Sequence, residues 1–160
     1  MLFVPSVYAE ETHINLDVAV GCYSSWKVSD IKADGISFDF TFVRTREDEK
    51  WLPVYTVFLI DEKNDREMVF QGFQNHGGKV EATVTKINEY ENEDKKQEKL
   101  FVFELKQKYA VNIKWAAGDV LLTVDGKRQE YAFKFKPSSI RISCSTSEIL
   151  VENISLLDDK

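Results

Sequence analysis

Ile36, Phe38, Phe40 and Phe42 alternate with Ser37, Asp39 and Thr41, and this period of two recurs along most of the chain. Successive side chains of a strand point to opposite faces, so the pattern demands sheets with one buried face and one wet face. Residues 54–60 are almost continuously apolar, which suits a central strand covered on both sides. Further candidate strands are 68–73, 80–87, 100–105, 109–115, 120–124, 131–135, 140–144 and 149–156. Turn residues separate them: Asn75-His76-Gly77-Gly78, Ala117-Gly118-Asp119, Asp125-Gly126 and Lys136-Pro137-Ser138-Ser139. Residues 120–135 read as a hairpin whose loop runs from 125 to 130. No window holds a three-to-four-residue apolar spacing long enough for a substantial helix. Many short strands at regular intervals predict an all-β sandwich or barrel.

The chain has 160 residues, which suits one domain, taken here as 10–160. Eleven Phe and six Tyr supply flat side chains that pack well on a pleated surface. A net charge of −6 repels phosphate backbones and anionic headgroups, so nucleic acid is not an expected partner. No apolar run approaches the roughly 20 residues of a membrane helix. Residues 1–9 end in Val7-Tyr8-Ala9 before Glu10-Glu11 and look like part of a secretory signal; the other reading is an apolar strand. Export, to a periplasm or the extracellular space, is the expectation.

Cys22 and Cys144 each follow the inward parity of a candidate strand. Ile14, Leu16, Val18 and Val20 lead to Cys22, and Ile140 and Ile142 lead to Cys144. Both sulfurs are therefore expected in one core, either as a disulfide between neighbouring strands or as two buried thiols.

Ile113-Lys114-Trp115, followed by Gly118-x-Val120-x-Leu122-x-Val124-Asp125-Gly126, resembles the late strands of concanavalin A-like jelly rolls. That group includes laminin-G-like domains and glycoside hydrolase family sixteen. Ile140-Arg141-Ile142 and Val151-Glu152-Asn153-Ile154-Ser155-Leu156 fit their final strands, so the likeness covers about residues 109–156. It implies a two-sheet antiparallel sandwich with Trp115 in its core. A lipocalin-like barrel is the alternative, although Gly21-Cys22-Tyr23 lacks the Trp such barrels carry near the first strand. The likeness speaks for fold far more than for function.

Family-sixteen enzymes place carboxylates on alternate residues of one strand, flanking the sugar bond. Glu89, Glu91 and Glu93 have that spacing, but they lie in the charged stretch 89–99, where an open carboxylate keeps an ordinary pKa. No catalytic residue is assigned. His13 and His76 lack metal-ligand spacing, and Asp61-Glu62-x-x-Asp65 reads as a solvated turn rather than a calcium loop. No metal or cofactor is implied. Asn153-Ile154-Ser155 is a formal glycosylation acceptor to which no weight is given.

Sugars are recognised by aromatic faces and by planar polar groups at their hydroxyls. In this sandwich class the ligand meets the concave sheet or its rim. Trp51 lies between a charged loop and Pro53, Tyr55 follows on the next strand, and Arg44 ends the preceding one. Gln71, Asn75 and His76 come from the next strand and its turn. These six are the candidate ligand-binding residues. The expected function is a non-catalytic extracytoplasmic module that binds a polysaccharide or glycan. Adhesion to a protein partner is the alternative, and an unrecognised glycoside hydrolase or lyase is the third reading.

Overall fold

A computed structural model describes residues 12–46, 48–64, 66–74, 80–88, 98–116, 119–132 and 136–158. Among them are twelve strands: β1 (Thr12–Asp17), β2 (Tyr23–Ser29), β3 (Gly35–Thr45), β4 (Val54–Asp61), β5 (Arg66–Gln74) and β6 (Val80–Asn88). The second half adds β7 (Glu98–Phe103), β8 (Lys108–Ala116), β9 (Asp119–Val124), β10 (Lys127–Ala132), β11 (Ser139–Ser145) and β12 (Ser147–Leu157). They form two six-stranded antiparallel sheets, in the orders β1-β12-β3-β8-β9-β10 and β2-β11-β4-β5-β6-β7. The edges at β1, β10, β2 and β7 remain open, so this is the sandwich and not the closed barrel.

The alternating residues meet between the sheets. Ile36, Phe38, Phe40 and Phe42 of β3 face Tyr55, Val57 and Leu59 of β4 across the core. The ring of Phe40 lies 4.4 Å from that of Tyr55, and Phe103 packs edge-on at 4.6 Å against Tyr109. Trp115 is buried as expected, and its indole N–H donates to the Ala33 carbonyl at 2.9 Å, so its burial leaves no polar atom unsatisfied. A gap of about 30 Å³ remains between the sheets, lined by apolar side chains including Phe38, Val57 and Leu122. Ligand clefts run to roughly 300–1,000 Å³, so the interior is filled and recognition belongs on the outside.

Three local expectations change. First, β9 and β10 are joined at Asp125 and Gly126 alone, because Val124 pairs directly with Lys127. Both turn residues have positive φ, 47° and 77°, and the Asp125 carboxylate accepts from the Ala110 N–H at 2.8 Å. That is a tight hairpin reversal. The polar segment after it, expected as loop, is the start of an edge strand, which needs no apolar alternation.

Second, the Cys22–Cys144 bridge is not formed: both thiols are free. Cys144 is buried, with its Sγ 3.2 Å from the Ser147 hydroxyl, and burial pushes the thiol pKa up. Cys22 is exposed. The alternation of β1 stops at Val18, because the chain turns through Ala19, Val20 and Gly21. Gly21 takes φ +71°, and the Cys22 N–H donates to the Ala19 carbonyl at 3.1 Å. A turn resets which face each residue presents, so inward parity cannot be carried through it to Cys22. Third, Tyr55 is a core residue rather than a ligand contact; it is 6% exposed and burial pushes its hydroxyl pKa strongly up.

Two outcomes follow. Native protein titrates one thiol per chain with an aromatic disulfide reagent and two after denaturation; no reactive native thiol would contradict the exposed Cys22. Tyr55 lies directly opposite Gly72 on β5, and a Cβ at Gly72 would collide with the Tyr55 ring. Gly72→Ala therefore destabilises by about 1–3 kcal/mol, read from the denaturant midpoint.

Candidate functional site

Because Tyr55, Val57 and Leu59 point inward, their neighbours on β4 point out, and strand register carries that face across the sheet. Four transverse rows result. Tyr23, Ser145, Val54 and Phe73 form the first; Ser25, Ser143, Thr56 and Gln71 form the second. Lys27, Arg141, Phe58 and Val69 make the third, and Ser29, Ser139, Ile60 and Glu67 the fourth. Polar groups capable of meeting hydroxyls thus lie between Phe73 and Tyr23 on one side and an arginine-capped phenylalanine on the other.

This outer face is sheltered. Ser143 is 2% exposed, Thr56 5% and Val69 7%, although none points into the core. On the outer face of the other sheet, Ser37, Asp39, Thr41, Asn112 and Lys114 are all half-buried. A shielded polar face is where hydrogen bonds to a ligand escape most competition from water.

Among the described residues the charges on and beside this face include Lys27, Arg141, Glu67 and Glu62. The Lys27 ammonium donates to Glu62 at 2.8 Å, and the Ser139 hydroxyl donates to the same carboxylate at 3.1 Å. The hydrogen bond from Lys27, then that from Ser139, hold the Glu62 carboxyl below its usual range. A general acid needs the opposite shift, so Glu62 is suited to an ion pair and not to proton donation near neutrality. Arg141 stands beside Lys27 with its guanidinium 4.1 Å from the centre of the Phe58 ring. Its Nε is buried and meets no acceptor among the described residues.

The four expected ligand residues that are described, Arg44, Trp51, Tyr55 and Gln71, are not brought together. Gln71 lies on the sheltered face. Tyr55 is in the core behind it. Arg44 sits on β3 in the other sheet, held by Asp17 at 2.9 Å and Glu148 at 2.8 Å. Arg46 also binds Asp17, and these contacts, led by the Arg46 hydrogen bond, lower the Asp17 carboxyl pKa. Trp51 is exposed at a sheet end, where the Asp48 carboxylate fixes the loop by accepting its backbone N–H at 2.9 Å. Gly21 passes so close that an added Cβ would lie 3.3 Å from the indole nitrogen. Asn75 and His76 fall outside the described residues, as do Glu89, Glu91, Glu93 and Asp65.

Sequence reasoning missed Thr56, Ser143, Phe73 and Arg141 as neighbours of Gln71. Their outward parity was readable, but β11 reaches β4 through a crossover that periodicity does not encode. Asp61, read as part of a solvated turn, accepts from the Asn64 side chain at 2.7 Å and closes a turn, with its own side chain buried.

A second concavity lies on the other sheet, with a volume of about 300 Å³. Ser37, Asp39, Asn112, Thr123 and Asn153 line it, and Asn153 donates to Asp39 at 2.7 Å. Asn153 takes φ 53° at an irregularity in the β12–β3 pairing. Among the described residues no aromatic side chain belongs to the outer face there, so a sugar ring would find polar partners but no stacking surface from them.

No protein-family model matches the sequence, and no curated protein matches it. Solved structures do match in shape. A polysaccharide lyase of family 18 aligns with TM-score 0.63 at 9% identity, over 92% of this chain and 88% of that one. A β-glucanase of Bacillus licheniformis aligns with TM-score 0.58 at 10% identity, over 94% and 79%. A galectin of Caenorhabditis elegans aligns with TM-score 0.57 at 9% identity, over 88% and 95%. At such identities the likeness shows the fold alone: this chain is a concanavalin A-like jelly-roll sandwich.

Proposed function

We propose that this is an exported carbohydrate-binding module that acts without catalysis and takes its ligand on the outer face of the β2-β11-β4-β5-β6-β7 sheet. The supporting observation is the four-row arrangement: Ser143, Thr56 and Gln71 in a sheltered strip, with Phe73 and Tyr23 along one side. Such a strip offers hydroxyl partners and apolar ring faces at the spacing of neighbouring strands, about 5 Å, which is the scale of a sugar ring. The shape-matched lyase, glucanase and galectin each carry carbohydrate-directed names, which agrees with this reading. Glu62, committed to Lys27, favours binding over hydrolysis.

A second reading is adhesion to a protein partner. It is favoured by Val20, Tyr23, Trp51 and Leu52, which are 41%, 59%, 48% and 45% exposed near one end of the sandwich. Apolar groups gathered at a rim are a common start for protein contacts.

Affinity electrophoresis through gels containing assorted polysaccharides tests the choice. At least one polymer is expected to retard the protein, and Gln71→Ala or Phe73→Ala to weaken retention about tenfold, equivalent to roughly 1.4 kcal/mol. Asn112→Ala, in the concavity of the opposite sheet, is expected to change nothing. Retention lost in Asn112→Ala and kept in Gln71→Ala would move the site to the other sheet. Absence of retention on every polymer removes the carbohydrate reading and leaves the rim, where Trp51→Ala is the variant that matters.

A further inference from the structure

Arg141 is the feature of the sheltered face that neutral-sugar binding does not require. Its neighbours across the sheet are Lys27 on β2 and Phe58 on β4. Lys27 is neutralised by Glu62 at 2.8 Å. Among the described residues no carboxylate pairs with the positive charge of Arg141, in a chain of net charge −6. The charge stands beside a like charge, an arrangement that costs stability in a sheet unless something answers it. Its guanidinium nevertheless lies over the Phe58 ring at 4.1 Å, which uses one flat face and leaves the edge donors of the fork to other partners. Its Nε is closed off from water, so an arriving ligand meets the two terminal nitrogens of the guanidinium instead.

We infer that the ligand on this face carries a carboxylate, as a uronic acid unit does, and that Arg141 receives it edge-on while Ser143, Thr56 and Gln71 meet the neighbouring hydroxyls. The inference rests on the carbohydrate reading above and narrows it to acidic polysaccharides. A planar carboxylate matches the guanidinium fork with two parallel hydrogen bonds. A sulfate ester also offers the fork two oxygens, so the gels below tell the two anions apart, whereas a neutral sugar leaves the charge unanswered. Phe58 holds the fork flat, so the geometry exists before the ligand arrives, and little ordering entropy is lost on binding.

The test compares gels containing polygalacturonate, alginate, a neutral β-glucan and dextran sulfate. A uronate polymer is expected to retard the wild-type protein most, with retention that weakens as salt rises. Arg141→Gln is expected to weaken uronate retention at least about tenfold, with an unchanged thermal midpoint and native thiol count. Arg141→Lys keeps the charge and the apolar stem but loses the fork, and it should retain only part of the affinity. This variant also decides the matter if Arg141→Gln fails to fold, since full retention in Arg141→Lys would refute the fork. The inference is overturned if the neutral glucan retards the protein as strongly as a uronate polymer. It is equally overturned if Arg141→Gln binds uronate as wild type does, or if dextran sulfate proves the better ligand. In those three cases carbohydrate binding survives without the carboxylate. If no polymer of any kind retards the protein, the carbohydrate reading itself has failed.

Discussion

The stack of rings between β3 and β4 is the contact on which the remainder of the sandwich depends. Phe40 meets Tyr55 at 4.4 Å and Phe103 at 5.8 Å, and Phe42 meets Tyr55 at 5.7 Å, so aromatic groups from both sheets share one cluster. Sheets in a sandwich pack face to face about 10 Å apart, a distance that large side chains are needed to fill. Tyr55 adds a second constraint, because its ring lies over Gly72 of the neighbouring strand and occupies the space a side chain would take. The register of β4 against β5 is thereby fixed from the inside. A slip of one residue would drive the Tyr55 ring out of the core and Thr56 into it, which strand periodicity makes prohibitively costly.

Fixing the inside fixes the outside. Once Tyr55, Val57 and Leu59 are committed inward, Thr56 and Phe58 have no freedom about where they point, and strand pairing brings Ser143, Arg141, Gln71 and Val69 beside them. The candidate site therefore needs no loop to assemble it. It is a by-product of the same alternation that builds the core, which gives its polar groups the rigidity of a sheet. This also explains how one architecture accommodates lyases, hydrolases and lectins: the outward residues can change freely while the inward set holds the fold.

Much of this architecture was legible in the residues. The run from Ile36 to Phe42, the Asp125-Gly126 reversal and the buried Trp115 all follow from local rules, and each is present. The failures are local rules carried too far. Inward parity was extended through Ala19, Val20 and Gly21, where a turn abolishes it, and so a bridge from Cys22 was expected. β2 was overlooked because Trp26 and Val28 are its only large inward residues and the strand forms a sheet edge with mostly polar neighbours. Tyr55 was misassigned because a phenol serves core and ligand equally well; nothing in its neighbours along the chain reveals Gly72 opposite. The candidate site was the least legible part. Of the described residues only Gln71 was anticipated there, since proximity in sequence to Trp51 and Tyr55 is a poor guide when residues 56, 71 and 143 meet across three strands.

The balance of charge on that face sharpens what kind of recognition it can support. The protein as a whole repels anions, and at physiological ionic strength its field fades over roughly 8 Å. An anionic chain would therefore meet no long-range attraction and would have to be held by contacts at short distance. In the proposed mode Arg141, held flat on Phe58, supplies a contact of that kind. Lys27 does not, because Glu62 already answers it and Ser139 donates to the same carboxylate. A cation held on an aromatic ring, sheltered hydroxyl groups and a carboxyl held ionised offer short-range contacts to a ligand, which is the recognition proposed above.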